Sequence, residues 1–260
     1  MLEITLTIFI FLLGISIGSF LNVCIYRMGR QESIIKPASY CPHCKKPIRW
    51  YDNIPLLSYV LLKGRCRDCA QKISFRYFLV ELLTGLIFLG LYRRFGLSPM
   101  AFSYFILVSS LIVATFVDFE FRIIPDEISL GGIVVGLILS FLIPSLHSVP
   151  THLLGLRQSL IGVLVGGGVL WVLGCVGDFI FKKESMGGGD VKLLAMIGAF
   201  LGWKIALLSL PLASLVGSVV GVSIKLRTKE SVIAFGPYLS LGALLGLFWS
   251  NKILSILFLY

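Results

Sequence analysis

Residues 100–126, "MAFSYFILVSSLIVATFVDFEFRIIPD", run eighteen positions without a charge and then place Asp118, Glu120, Arg122 and Asp126 within nine. An apolar helix of that length crosses a bilayer core. The reading of this stretch decides the fold class, because the rest of the chain repeats its apolar half. Of 260 residues, 57% are hydrophobic and 14% charged, and the mean hydropathy is +0.95. A soluble domain of that size could not hide so much apolar side chain. Spanning runs lie at 4–26, 100–117, 128–146, 160–181, 205–224 and 232–249. Two weaker ones are 75–92, which carries Arg76 and Glu81, and 191–203, which is short and carries Lys192. The expectation is an all-α polytopic membrane protein with about eight transmembrane helices. The first run is too long and too poor in basic residues for a cleaved signal peptide. It is expected to stay as the first helix, residues 1–26.

Residues 27–76 form one polar insertion holding eleven of the Lys and Arg residues. Basic loops are retained on the cytoplasmic side. With eight spans and the insertion inside, 18 basic residues fall inside, Lys183 and Lys229 among them, against 5 outside. Both termini are then outside. The net charge of +10 is a topology signal near anionic lipid, and no nucleic-acid partner is expected.

Inside the insertion, "CPHCKKPIRWYDNIPLLSYVLLKGRCRDC" sets Cys41, Cys44, Cys66 and Cys69 in two C-x2-C knuckles. Two residues between thiols let a tight turn aim both sulfurs at one ion, and a second knuckle completes a tetrahedral Zn²⁺ site. Four thiols leave no open position, so the zinc reads as structural. His43 reads as a bystander. Disulfides are the alternative, opposed by the reducing cytoplasm that the charge balance implies. Cys24 and Cys175 lie in apolar runs and read as packing residues.

Ionisable groups at the ends of spans are expensive. Asp126 follows Pro125 and reads as a helix N-cap; Asp178 could pair with Lys182 one turn on. Asp118 ends a helix, where the dipole disfavours negative charge. Asp190 follows Gly187, Gly188 and Gly189, a stretch free to take positive φ and to admit an extended peptide. Two carboxylates sharing a site divide into acid and base, which suits peptide hydrolysis, though intramembrane acids also serve proton relays. Glycines four apart, such as Gly14 and Gly18 or Gly162 and Gly166, read as helix-packing positions.

"GSFLNVCIYR" at 18–27, the two knuckles, "RYFLVELLTG" at 76–85, "DFEFRIIPD" at 118–126 and "MGGGDVKLLAMIGAFLGW" at 186–203 resemble the bifunctional type IV prepilin peptidases of bacteria. The resemblance implies an aspartic protease of the bacterial inner membrane that cuts the basic leader from prepilins and pseudopilins after a glycine, on the cytoplasmic side. It also implies N-methylation of the new terminus with S-adenosylmethionine. The family's catalytic residues fall on Asp118 and Asp190, and Asp126 stands where relatives also use Asn. Ala70 stands where Gly is usual. The implied division is a first helix, a zinc-ribbon-like loop at 27–76 associated with methyl transfer, and a peptidase bundle at 77–260. No G-x-G-x-x-G follows a strand, so methyl transfer rests on the resemblance. The competing readings are a peptidase without methylation, a proton-coupled transporter that relays through Asp118, Asp178 and Asp190, and an assembly factor whose zinc loop binds a partner.

Overall fold

The computed structural model describes residues 1–182, 186–228 and 234–258. Lys183, Lys229 and the start of the last apolar run at Val232 lie outside the described residues. The helices are α1 (Leu2–Met28), α2 (Leu57–Leu61), α3 (Phe75–Phe95), α4 (Pro99–Phe121), α5 (Asp126–Leu142), α6 (His152–Phe181), α7 (Gly188–Thr228) and α8 (Gly236–Phe258). Among the described residues there is no strand, only isolated bridges Tyr40 to Pro47 and Arg65 to Lys72. Five helical stretches are long and apolar enough to cross a membrane: α1, α3, α4, α6 and Gly188–Ser223 of α7. The chain is therefore an all-helical, multi-pass membrane protein. By that measure the expected eight spans are not all accounted for, and α5 has 17 residues.

The chain forms two compact units, Met1–Val113 and Ala114–Tyr260. In the first, α1 packs on α3 through small residues. A Cβ on Gly14 would stand 2.8 Å from the Gly85 Cα, and one on Gly18 2.7 Å from the Glu81 Cα. Only hydrogen at those positions lets the backbones meet. Asn22 Nδ2 donates to the Tyr77 carbonyl at 3.0 Å, and Cys24 is buried as expected. Two buried charges tie the polar insertion to these helices. Arg27 donates to the carbonyls of Ser33 (3.0 Å) and Pro37 (2.6 Å), and Glu81 accepts the Leu56 N–H at 2.7 Å.

In the second unit, the backbone of α7 leaves helical geometry at Gly202 (φ 77°, ψ 168°). A Cβ would be strained at that φ. The contacts on either side show that the chain reverses there. Before the break, α7 runs parallel to α5, with Lys192 on Asp126, Met196 at Gly132 and Phe200 at Gly136. After it, α7 runs antiparallel to α8, with Ile205 at Gly246, Ser209 at Gly242 and Gly217 at Tyr238. Gly189 and Gly236 both abut Ile124, so the first half of α7 and α8 start at the same end. The second half must return toward it. The Ala199 carbonyl, three residues before the break, accepts the hydroxyls of Ser140 (3.1 Å) and Ser159 (2.7 Å). Helix α6 closes on the first half of α7 at Gly162 and Gly198, which meet backbone to backbone. Cys175 is exposed on α6, beside exposed Trp171, Val172 and Phe179. Its reading as a packed core residue is therefore corrected: an apolar position in a lipid-facing stretch looks the same in sequence as one in the core.

Candidate active site and metal centre

Asp118 lies in the last turn of α4, whose final carbonyls disfavour a negative charge. The fold compensates from another element. Asp118 is buried, 6% exposed, and its Oδ2 accepts the N–H of Gly236 at 2.9 Å. Gly236 is the first residue of α8, so the carboxylate of one helix end meets the free amide of another helix's start. Past Asp118, Arg122 takes φ 57° and turns the chain into Ile123, Ile124 and Pro125.

Asp190 is brought to the same place by the start of α7, where Gly189 abuts Ile124, the side chain that Gly236 also abuts beside Asp118. Its Oδ1 is buried and has no hydrogen-bond partner among the described residues, which leaves that atom available for a proton, a water or a substrate. Asp190 does not cap α7, since Gly188 and Gly189 already belong to the helix. The expectation of positive φ at Gly187, Gly188 and Gly189 is also corrected. The left-handed glycines among the described residues are Gly64, Gly96 and Gly202. The glycines serve through missing side chains instead. A Cβ on Gly189 would stand 3.1 Å from the Ile124 Cβ, and one on Gly187 3.2 Å from Asp190 Oδ2. Among the described residues, nothing lies within 4 Å of that position at Gly188.

Asp126 is likewise not the cap of α5. Pro125 holds that position, and Asp126 is the first helical residue. Its carboxylate faces Lys192 instead, Nζ to Oδ1 2.6 Å. This ion pair links the turn after Asp118 to the helix that carries Asp190. Sequence reading missed both this pair and the Gly236 amide. Lys192, two residues after Asp190, was the available signal for the pair; a backbone amide offers none.

The four cysteines of the insertion converge as expected. Their sulfurs all lie within 4.8 Å of one another, and Cys41 Sγ is 3.8 Å from Cys69 Sγ. A tetrahedron with Zn–S bonds of about 2.3 Å has edges of about 3.8 Å, so the set fits a metal. The knuckles are built alike. Cys41 N–H donates to Lys46 C=O and Lys45 N–H to Cys41 C=O; Cys66 N–H donates to Gln71 C=O and Ala70 N–H to Cys66 C=O. The residue after each knuckle is left-handed, Lys45 at φ 60° and Ala70 at φ 56°. The Cys69 amide, helped by that of Asp68, outweighs burial and lowers the Cys66 thiol to about 7. Arg67 makes a forked contact with Asp52, at 2.6 to 3.0 Å, and holds its carboxyl below the usual carboxylate range. His43 is not part of the sulfur cluster.

Residues 12–95 match the bacterial peptidase A24 N-terminal domain, and residues 105–222 match the type IV leader peptidase family. A prepilin leader peptidase/N-methyltransferase of Myxococcus xanthus is 42% identical over 224 residues, which is 86% of this chain and 64% of that protein. One from Aeromonas hydrophila is 35% identical over 275 residues, 94% of this chain and 91% of that protein. A type 4 prepilin-like proteins leader peptide-processing enzyme of Escherichia coli is 40% identical over 251 residues, 89% of each. No solved structure matches.

Proposed function

Because the chain belongs to the type IV leader peptidase family, we propose that it is a membrane aspartic endopeptidase. It removes the basic leader of prepilins and pseudopilins after a glycine, at the cytoplasmic face of the bacterial inner membrane. It then N-methylates the new terminus. The observation that carries the reading is that Gly189, next to Asp190, and Gly236, whose N–H Asp118 accepts, both abut Ile124, so two carboxylates from distant segments are brought to one place. Catalysis needs both. One carboxylate takes a proton from water as its oxygen attacks the scissile carbonyl, and the other protonates the departing amine as the C–N bond breaks. The open face at Gly188 is the side from which the Gly187–Gly189 segment admits the extended substrate.

The four cysteines would hold zinc, whose contribution is to cross-link the two knuckles so that the insertion folds. S-adenosylmethionine would supply the methyl group. The proposed division is a first-helix region at 1–26, a loop associated with methyl transfer at 27–76 and a peptidase bundle at 77–260, with α1 running two residues past the first boundary. Eight spans follow if α7 counts as two. Its 41 residues would extend about 60 Å as one helix, twice a bilayer core, and the reversal at Gly202 makes two passes of them. The basic insertion and the carboxylate pair then lie on the cytoplasmic side.

The test is cleavage of a purified prepilin with its leader by the wild-type protein, Asp118→Asn and Asp190→Asn. Cleavage by the first and none by the other two is expected. Full activity in either variant excludes the paired mechanism.

A further inference from the structure

Three segments far apart in sequence meet on one side chain. Ile124 is 9% exposed and touches Gly189, one residue before Asp190, and Gly236 at the start of α8. The space at Gly236 is the tighter. A Cβ there would stand 2.8 Å from Asp118 Oδ2 and 3.0 Å from Ile124 Cδ1, closer than such atoms pack. The same residue donates its N–H to that Oδ2 at 2.9 Å, from a helix N-terminus where an acceptor with negative charge is favoured. Asp190, by contrast, has a buried Oδ1 with no donor among the described residues. The two carboxylates are therefore not equivalent.

We propose that the first turn of α8 is a third component of the catalytic site: the Gly236 N–H holds Asp118 oriented and ionised as the base that activates water, and Asp190 carries the proton. The inference rests on the reading that these two are the catalytic pair. Gly236 is a positioning residue, acting on substrate only through Asp118. Both of its properties matter, the donor and the missing side chain. Ile124 keeps the α7 and α8 starts at the spacing that this arrangement needs.

The experiment measures kcat and KM for prepilin cleavage with Gly236→Ala, Gly236→Pro, Gly236→Ala/Ile124→Val and Asp118→Asn. The Ala variant keeps the donor but crowds Asp118. The Pro variant adds the same Cβ and also removes the donor, and its fixed φ suits a first helical turn. The double variant removes Ile124 Cδ1, so it relieves the crowding against Ile124 and not that against Asp118. Displacement of Asp118 in the Ala variant, and loss of the hydrogen bond to a charged group in the Pro variant, each predict a fall in kcat of roughly 10- to 100-fold, with KM changed less than about twofold. The double variant stays as slow as Gly236→Ala. Wild-type kcat in Gly236→Pro, a change confined to KM, or full rescue by Ile124→Val overturns the proposal, the last showing that Gly236 only packs. If Gly236→Ala does not accumulate, Gly236→Pro alone decides through its kcat; if neither accumulates, the segment is structural and the proposal fails. Cleavage retained in Asp118→Asn instead removes the catalytic pair itself.

Discussion

Asp118 and Asp190 carry the strongest expectation at the scale of single residues. An amide side chain can neither take nor return a proton, so Asp118→Asn and Asp190→Asn should each lower prepilin cleavage by at least roughly a thousandfold, measured with membrane insertion checked in parallel. Asp126→Asn should behave differently. Its ion pair with Lys192 is exposed at both ends, with side chains 39% and 57% accessible. Exposed pairs are worth about 0–1 kcal/mol, so the loss should be less than about fivefold. A double-mutant cycle with Lys192→Gln should give a coupling below about 1 kcal/mol that shrinks with added salt. Ala70 offers a stabilising change. At φ 56° a methyl group is strained, and Ala70→Gly should strengthen the second knuckle by roughly 1 kcal/mol, read as a higher chelator concentration needed to strip its metal.

Among the elements, the cysteine knuckles were fully legible in the sequence because their geometry is local. Two residues between thiols, twice, specify the turn, and the sulfurs meet where that spacing requires. The carboxylates were legible for a different reason: a charge at the end of an apolar run is costly wherever the helix goes. What aims them was not legible. A backbone N–H such as that of Gly236 carries no residue-type signal, and Asp126 and Lys192 lie 66 positions apart. The split of α7 was visible as two apolar runs, 191–203 and 205–224, and the break falls between their centres at Gly202. Gly202→Ala should therefore destabilise the bundle by about 1–2 kcal/mol, read in thermal unfolding. The same change at Gly188, where nothing lies within 4 Å, should cost little stability. Lipid-facing positions such as Cys175 stayed ambiguous because the bilayer and the core select the same side chains.

At the scale of the whole molecule, the four-cysteine cluster lies in the unit Met1–Val113 and Asp118 and Asp190 in Ala114–Tyr260. Damage to one need not destroy the other. Asp190→Asn should block processing of full-length prepilin yet still transfer labelled methyl from S-adenosylmethionine to a substrate supplied already cleaved. Cys66→Ser or zinc removal should do the reverse, because a structural zinc site couples binding to folding of its loop. Failure of Asp190→Asn on cleaved substrate that it still binds would show that the two activities share one site. The amide that steadies Asp118 lies 118 residues further along the chain. During synthesis, both aspartates are made before α8. A nascent chain is thus not yet a protease, and a polypeptide stopped at Thr228 should insert both carboxylates without cutting the pilins being made beside it.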